Sequence, residues 1–173
     1  MRKWKWLSML LSGIMLLTSC SLRSARVSIF DDSDRKADAR FEKILKAISN
    51  KDADALRVMF SKQALSDSTD FENSLQYLFA YVQGSIGSYI KPTGSCGGTE
   101  EMNGSKHRKK VDSTYVLTTS EQEYHIAISE YTIDTVNPDN VGVYSFCIIS
   151  SKDYRDSKFV YRGNGKVGIN IGQ

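Results

Sequence analysis

The sequence predicts an α+β domain in which three N-terminal helices are packed in a curved, mostly antiparallel sheet. Apolar residues recur at helical spacing between residues 34 and 83, and the pattern changes to strand-like alternation after Gly84. Helical segments followed by strands are typical of the α+β class. The alternation slips by one position near Ser129, which predicts a bulge and a sheet that curls around the helices.

Three helices are predicted from apolar stripes and capping residues. The first begins near Asp34, the second follows the capping residue Asp52, and the third covers residues 70–83. Ser61 caps one further turn after the second helix. The side chains that we expect to be most deeply buried, on these helices and on the strands that follow, are Phe41, Leu78, Phe79, Phe146 and Ile148.

Strand-like segments occupy the second half of the chain. The predicted strands cover residues 85–91, 111–119, 123–135 and 141–150, with a last strand or hairpin over residues 159–162 and 167–171. The segment 141–150 is apolar on both faces, which predicts a central strand that is covered on both sides. Residues 94–110 hold four glycines and four lysines or arginines, and we predict a loop there.

The N-terminal residues have the composition of a secretory leader. Arg2, Lys3 and Lys5 form a positive segment, and an apolar run over residues 6–17 follows it. This run is shorter than the roughly twenty residues that a membrane-spanning helix needs. A basic start followed by a short apolar run is typical of a signal peptide that is removed from the mature protein.

The end of the apolar run resembles the bacterial lipobox, in which an aliphatic residue and two small residues precede a cysteine. Here these residues are Leu17-Thr18-Ser19-Cys20. The resemblance implies cleavage before Cys20 and a diacylglyceryl group on its thiol, which anchors the chain to the cell membrane, facing outside the cytoplasm. The alternative is an incidental thiol after a simple secretory signal. The predicted organisation is a signal peptide (1–19), a lipidated flexible tether (20–33) and one domain (34–173).

Charge argues against nucleic acid as a partner. The chain has 23 basic and 20 acidic residues, but three of the basic residues lie in the leader, so the remainder is neutral. Hydrophobic residues make up 40% of the sequence and charged residues 25%, which are ordinary values for a folded domain. The composition therefore excludes a disordered chain and a polytopic membrane protein.

The sequence contains no motif for a metal, a cofactor or an activated nucleophile. His107 and His125 are its two histidines, and neither has the spacing of a metal-binding or catalytic motif. We therefore expect no cofactor and no metal site. Residues 106–110, Lys-His-Arg-Lys-Lys, form a charge run with two open interpretations: attraction to an anionic surface, or a solvated loop beside Glu100 and Glu101.

Two cysteines of the predicted domain leave two redox states open. Exported proteins often contain disulfides, so Cys96 and Cys147 form a bridge in one interpretation. In the other, Cys147 is a thiol buried in the central strand and Cys96 lies in the loop. We expect the second arrangement.

Three blocks of sequence together resemble a known family. They are residues 52–65, 75–84 and 134–144, which occur in order and at suitable spacing. Over about residues 36–149 the chain is similar to the domain-of-unknown-function 5104 family, small lipoproteins found mainly in Gram-positive bacteria. The resemblance implies a nuclear-transport-factor-2-like cone, also called cystatin-like, in which a curved sheet wraps a long helix and leaves a pocket at its open end. It implies no catalytic residue, because the family has no assigned chemistry.

The leading hypothesis for function is a membrane-anchored lipoprotein whose domain binds a small-molecule ligand or a protein partner without catalysis. The alternative is an enzyme that performs acid–base chemistry on a small molecule in a polar pocket, with candidate residues His125, Tyr124, Glu130 and Tyr131. A structural component of the cell envelope is a third class. A polar cavity with buried ionisable groups favours the enzyme, and an exposed apolar patch favours partner binding.

Overall fold

The computed structural model describes residues 19–154 and 165–172, with side chains from Asp32 onward. The chain divides into two compact units, residues 1–36 and 37–173. In the first unit, Asp32 forms ion pairs with Arg35 at 2.7 Å and with Lys36 at 2.6 Å. Most of the predicted signal peptide and the strand predicted over residues 159–162 lie outside the described residues.

Five α-helices and one 3-10 turn occur in the described ranges. They are α1 (Ser19–Asn50), α2 (Ala53–Arg57), α3 (Lys62–Asp67), α4 (Phe71–Tyr81), the 3-10 turn Pro138–Asn140 and α5 (Ser151–Tyr154). Asp52 caps α2 and Ser61 caps α3, as predicted. The first helix begins earlier than the predicted start near Asp34, in a stretch without proline or glycine to end it. None of the described helices combines the length and the apolar character needed to cross a membrane.

The described strands form one mixed sheet. They are β1 (Ile86–Ile90), β2 (Cys96–Asn103), β3 (Lys106–Thr119), β4 (Glu123–Asp134), β5 (Gly142–Ser150) and β6 (Gly168–Ile171). Their order is β1-β3-β4-β5-β6, and β2 pairs with the other half of β3 on the edge that β1 uses. All pairs are antiparallel except β5 with β6. A register shift between Ser129 and Glu130 confirms the predicted bulge.

The predicted architecture, three helices within a mostly antiparallel nuclear-transport-factor-2-like cone, is wrong. The α+β class is confirmed, but the described sheet is mixed and the described helices number five. Between α2 and α3, Val143 of β5 donates its N–H to the Met59 carbonyl and accepts the Ser61 N–H, both at 2.9 Å. β6 pairs in parallel with β5, and a parallel pair requires a crossover connection between its two strands.

Residues 94–110, predicted as a loop, form β2 and the start of β3 instead. Gly104 and Ser105 make a two-residue hairpin turn in which Gly104 has a φ of 60°, a conformation that suits glycine. Side chains of opposite charge then face each other across the two strands. These cross-strand pairs are Glu100 with Lys109 and Glu101 with Arg108.

The centre of the core is an aromatic stack between α1 and β3. The rings of Phe41 and Tyr115 are parallel to within 9°, with centroids 3.8 Å apart, and Tyr89 of β1 meets Phe41 edge-on at 5.0 Å. The Tyr115 hydroxyl donates to Asp38, which also binds Lys91 Nζ at 2.6 Å. All five residues predicted to be most deeply buried are buried: Phe41, Leu78, Phe79, Phe146 and Ile148.

A buried carboxylate holds the connection between β4 and β5. Asp134 accepts hydrogen bonds from the backbone N–H groups of Val136 and Asn137, from the Asn140 amide, and from Arg108 Nε at 3.1 Å. These donors, the Asn137 N–H foremost, lower the pKa of Asp134 to about 2. The ionised carboxylate therefore fixes the turn that precedes the central strand.

Truncation of the stacked ring tests this core. Phe41→Ala is expected to lower the free energy of unfolding by about 3–5 kcal/mol, because it leaves a cavity in a fully buried site. Val58→Ala is the control, since Val58 is 80% exposed and its truncation should cost about 0.5 kcal/mol or less. Urea unfolding followed by circular dichroism measures both. Equal losses in the two variants would contradict the position of Phe41 in the core.

The role of Asp134 predicts a defined dependence on pH. Its folded pKa lies below the unfolded value of about 3.9, so its contribution is full above about pH 4 and is lost as the pH falls toward about 2. Asp134→Ala is expected to cost about 2–3 kcal/mol at neutral pH. The difference in unfolding free energy from the wild type should shrink on acidification. A difference that stays constant with pH would show that the charge of Asp134 is not what stabilises the turn.

Candidate functional site

The four residues predicted as acid–base candidates all lie on β4, but they do not share one face. Tyr124 and Glu130 pair with Leu117 and Val111 of β3, on the face that packs against α1. His125 follows Tyr124 directly, so it points to the opposite face. Tyr131 follows the bulge and meets the Tyr144 ring edge-on at 5.7 Å. The structure therefore does not bring the four side chains into one site.

Tyr124 is fully buried and its hydroxyl is completely engaged. The hydroxyl donates to the Tyr81 carbonyl at 2.9 Å and accepts the Gln83 N–H at 2.8 Å and the Gln122 side-chain amide at 2.6 Å. These bonds fasten the C-terminal end of α4 to the turn between β3 and β4. Tyr124 is thus a fixed structural anchor, with no remaining position for a substrate proton.

His125 is the titratable candidate on the other face of β4. Its ring stacks on Tyr154 of α5, with centroids 3.8 Å apart and planes within 13° of parallel. Burial lowers the pKa of His125, and the nearby charge of Glu123 partly opposes this shift. The neutral imidazole therefore predominates at neutral pH and packs as an aromatic ring.

Glu130 is the buried carboxylate on the helix-facing side. Its Oε2 lies 3.2 Å from Arg40 Nε of α1. Burial raises the pKa of Glu130, and the charge and hydrogen bond of Arg40 oppose that rise. A carboxylate in this position depends on its arginine, because removal of one partner would leave a buried charge unpaired.

His107 and other residues of the charge run lie within ion-pair distance of acidic side chains. Within residues 19–154 and 165–172, no group of three histidine, cysteine or acidic side chains is placed to hold a metal ion. His107 Nε2 lies 2.8 Å from Glu100, which also lies 3.7 Å from Lys109. Arg108 binds Asp134. Much of the positive charge of residues 106–110 is therefore balanced within the sheet.

The cysteines adopt the expected reduced state. Cys96 is half-buried at the start of β2, Cys147 is buried in β5, and the two are not joined by a disulfide. Ser145 Oγ lies 3.7 Å from Cys147 Sγ. The side chain of Cys20, the predicted lipidation site, lies outside the described side chains.

A surface cleft of about 320 Å³ lies where α4, the β3–β4 turn and α5 meet. We call it the tyrosine cleft. Its principal side chains are Tyr77, Tyr81, Gln83, Gln122, Lys152 and Asp153. Sequence analysis missed it, because the residues come from three distant segments. The one local signal is Tyr77, a large ring that is 58% exposed on the side of α4 opposite its buried stripe.

Hydrogen bonds make the walls of the tyrosine cleft rigid. The Tyr81 hydroxyl accepts the Ser150 N–H at 2.9 Å, which joins α4 to the end of β5. Burial raises the pKa of Tyr81, so this hydroxyl stays neutral. Ser150 Oγ donates to Asp153 at 2.7 Å and accepts the Asp153 N–H, which fixes α5 beside it. With the Tyr124 bonds, all three walls are tied together.

A second cleft of about 260 Å³ lies at the tip of the β2–β3 hairpin. Glu101, Lys106, His107 and Arg108 line it together with Asn103 and Val136. It carries both signs of charge, and its Arg108 is already bound to Asp134. Because charged groups of this second cleft are already paired with other protein groups, the tyrosine cleft is the better candidate for a ligand site.

The described residues thus define an α+β domain with a rigid surface cleft and without an assembled catalytic centre in those ranges. The family model described as Domain of unknown function (DUF5104) matches residues 43–151. The chain belongs to this family, which confirms the resemblance read from the sequence. A comparison with curated proteins finds no match.

Thiol reactivity tests the placement of the two domain cysteines. In the Cys20→Ala chain, Cys96 is expected to react with a thiol reagent in the folded state, whereas Cys147 reacts only after unfolding in urea, because attack requires an accessible thiolate. Colourimetric thiol counting before and after unfolding measures this difference, and Cys96→Ser identifies the early thiol. Two thiols that appear only after a reductant is added would show a disulfide instead.

Proposed function

We propose that this chain is a membrane-anchored, extracytoplasmic lipoprotein whose domain binds a small-molecule ligand in the tyrosine cleft. One observation carries the binding role: the cleft has rigid walls, yet several of its polar groups are not engaged. Among the described residues, the Gln83 side-chain amide and the Tyr77 hydroxyl have no hydrogen-bond partner. Polar groups held in place without partners are what a ligand needs for orientation.

The sequence supports the anchor. A basic segment, a short apolar run and Leu17-Thr18-Ser19-Cys20 occur in the order of a lipoprotein leader. A diacylglyceryl group together with a further acyl chain would hold the domain at the membrane face, since stable anchoring takes more than one chain. A domain held there would meet ligands outside the cytoplasm.

The geometry gives less support to the enzyme hypothesis. His125 and Tyr131 lie away from the tyrosine cleft, and the Tyr124 hydroxyl is saturated by three protein groups. Glu130 is paired with Arg40 on the helix-facing side of the sheet. General acid–base catalysis needs its groups within hydrogen-bond reach of one reacting atom. Binding is therefore the function that we propose.

The anchor is tested by changing the predicted lipidation site. In the native host, the wild-type chain should incorporate labelled palmitate and sediment with membranes, because its leader carries the lipobox-like residues. Cys20→Ala should lose the label, and the chain should remain uncleaved or leave the membrane fraction. Cys96→Ala is the matched control and should keep the label. A Cys20→Ala chain that is labelled and sedimented like the wild type would contradict the lipoprotein proposal.

A further inference from the structure

We propose that the ligand of the tyrosine cleft is a neutral carbohydrate. This inference rests on the proposed function, that the domain binds a small molecule at this place. Three properties of the cleft support it: the absence of net charge among its lining residues, amide groups that are available for hydrogen bonds, and an exposed aromatic face. A sugar ring combines an apolar C–H face with a rim of uncharged hydroxyl groups, and it can satisfy all three together.

The charge of the cleft disfavours an ionic ligand. Its lining residues include one cation and one anion, Lys152 and Asp153, which are neighbours in α5. A charged ligand loses hydration on binding and needs an unbalanced opposite charge to offset that loss. The Asp153 carboxylate is already held by Ser150, so it serves as a fixed hydrogen-bond acceptor.

The hydrogen-bonding groups of the cleft suit hydroxyl groups. A primary amide offers two donors and an acceptor in one plane, whereas a hydroxyl donates and accepts at a single oxygen. Gln122 uses its NH₂ group on Tyr124, and its carbonyl oxygen has no partner in the described parts of the chain. Gln83 keeps its whole side-chain amide available there, because its hydrogen bond to Tyr124 comes from the backbone. Adjacent hydroxyl groups of a sugar can form hydrogen bonds with both of these amide groups.

The aromatic wall suits the flat side of a sugar ring. Tyr77 presents 58% of its surface to solvent, and its ring is tilted by 47° to that of Tyr81, with centroids 6.0 Å apart. The two rings therefore line the cleft at an angle to each other rather than as one flat surface. An exposed ring beside polar groups binds amphipathic molecules at low entropic cost, because a tyrosine has few rotatable bonds.

A peptide is the competing ligand class, and the construction of the site disfavours it. Extended peptides bind by adding a strand to an open sheet edge, where main-chain hydrogen bonds supply the affinity. The tyrosine cleft is formed mainly by side chains of two helices and a turn. Its volume of about 320 Å³ lies at the lower end of small-molecule sites. A short oligosaccharide suits both the side-chain lining and the small volume of the cleft.

Saturation-transfer NMR tests this proposal on the full chain, in a zwitterionic detergent without sugar headgroups. The probes are cellotriose, maltotriose, triacetylchitotriose and, for the competing class, trialanine. We expect transfer to the ring C–H protons of at least one sugar and none to the peptide. Tyr77→Ala should weaken binding of that sugar about tenfold, as loss of an aromatic anchor does. Gln83→Met, which keeps the length but removes the amide, should weaken it similarly.

Two further variants separate an effect on the tyrosine cleft from a general effect of substitution on sugar binding. Tyr77→Phe keeps the ring but removes the hydroxyl, so it should lose less affinity than Tyr77→Ala. Met102→Ala truncates a side chain that is 73% exposed on β2, and it should bind within about twofold of wild type. Transfer to the peptide alone would overturn the carbohydrate proposal and leave the binding function standing. Transfer to no probe, or sugar binding that Tyr77→Ala and Gln83→Met leave unchanged, would overturn the assignment of carbohydrate to this cleft. Membrane anchoring is tested separately through Cys20.

Discussion

The pairing of β3 is the constraint on which the rest of the sheet depends. Its two halves pair with β2 and β1 along one edge, while β4 pairs along the other edge over nearly its whole length. One face carries Tyr115, which stacks on Phe41 and thereby fixes α1 against the sheet. On the opposite face, Asp112 accepts a hydrogen bond from Ser129 of β4. A strand that is paired on both edges and packs one face against the core has a strongly specified register.

Much of the fold could be predicted from local pattern. The alternation in β4 predicted both the strand and its bulge, and the two-sided apolar run predicted the central position of β5. The errors have different physical causes. Gly104-Ser105 is a hairpin signal, but the lysines and glycines around it conceal strands whose pairing relies on cross-strand charges. The Ser61 cap could be predicted locally, but the backbone bonds of Met59 and Ser61 to Val143 could not, because Val143 is distant in sequence.

The candidate site was less predictable than the fold. His125, Tyr124, Glu130 and Tyr131 were chosen because polar residues on a sheet often line a cavity, yet alternation along β4 distributes them over two faces. The tyrosine cleft arises where Tyr77, Gln122 and Asp153 meet, and these residues are far apart in sequence. Hydrogen bonds of Tyr124 and Ser150, which join segments distant in sequence, bring these residues together. The family match covers residues 43–151, which include most of the cleft but not Lys152 and Asp153, and it assigns no chemistry.

The parallel pairing of β6 with β5 affects where local unfolding of the sheet begins. β6 has four residues and, among the strands that the structure describes, it lies at the edge of the sheet and pairs with β5 alone. Because parallel strands cannot be joined by a tight turn, residues 151–167 separate β5 from β6 in sequence, and bringing the two strands together has an entropic cost that the hairpins avoid. Local unfolding begins where few contacts hold an element. β6 also packs Ile169 into the core, but it is paired along one edge among the described strands, so we expect its amide protons to exchange with solvent sooner than those of β3, which is paired along both edges.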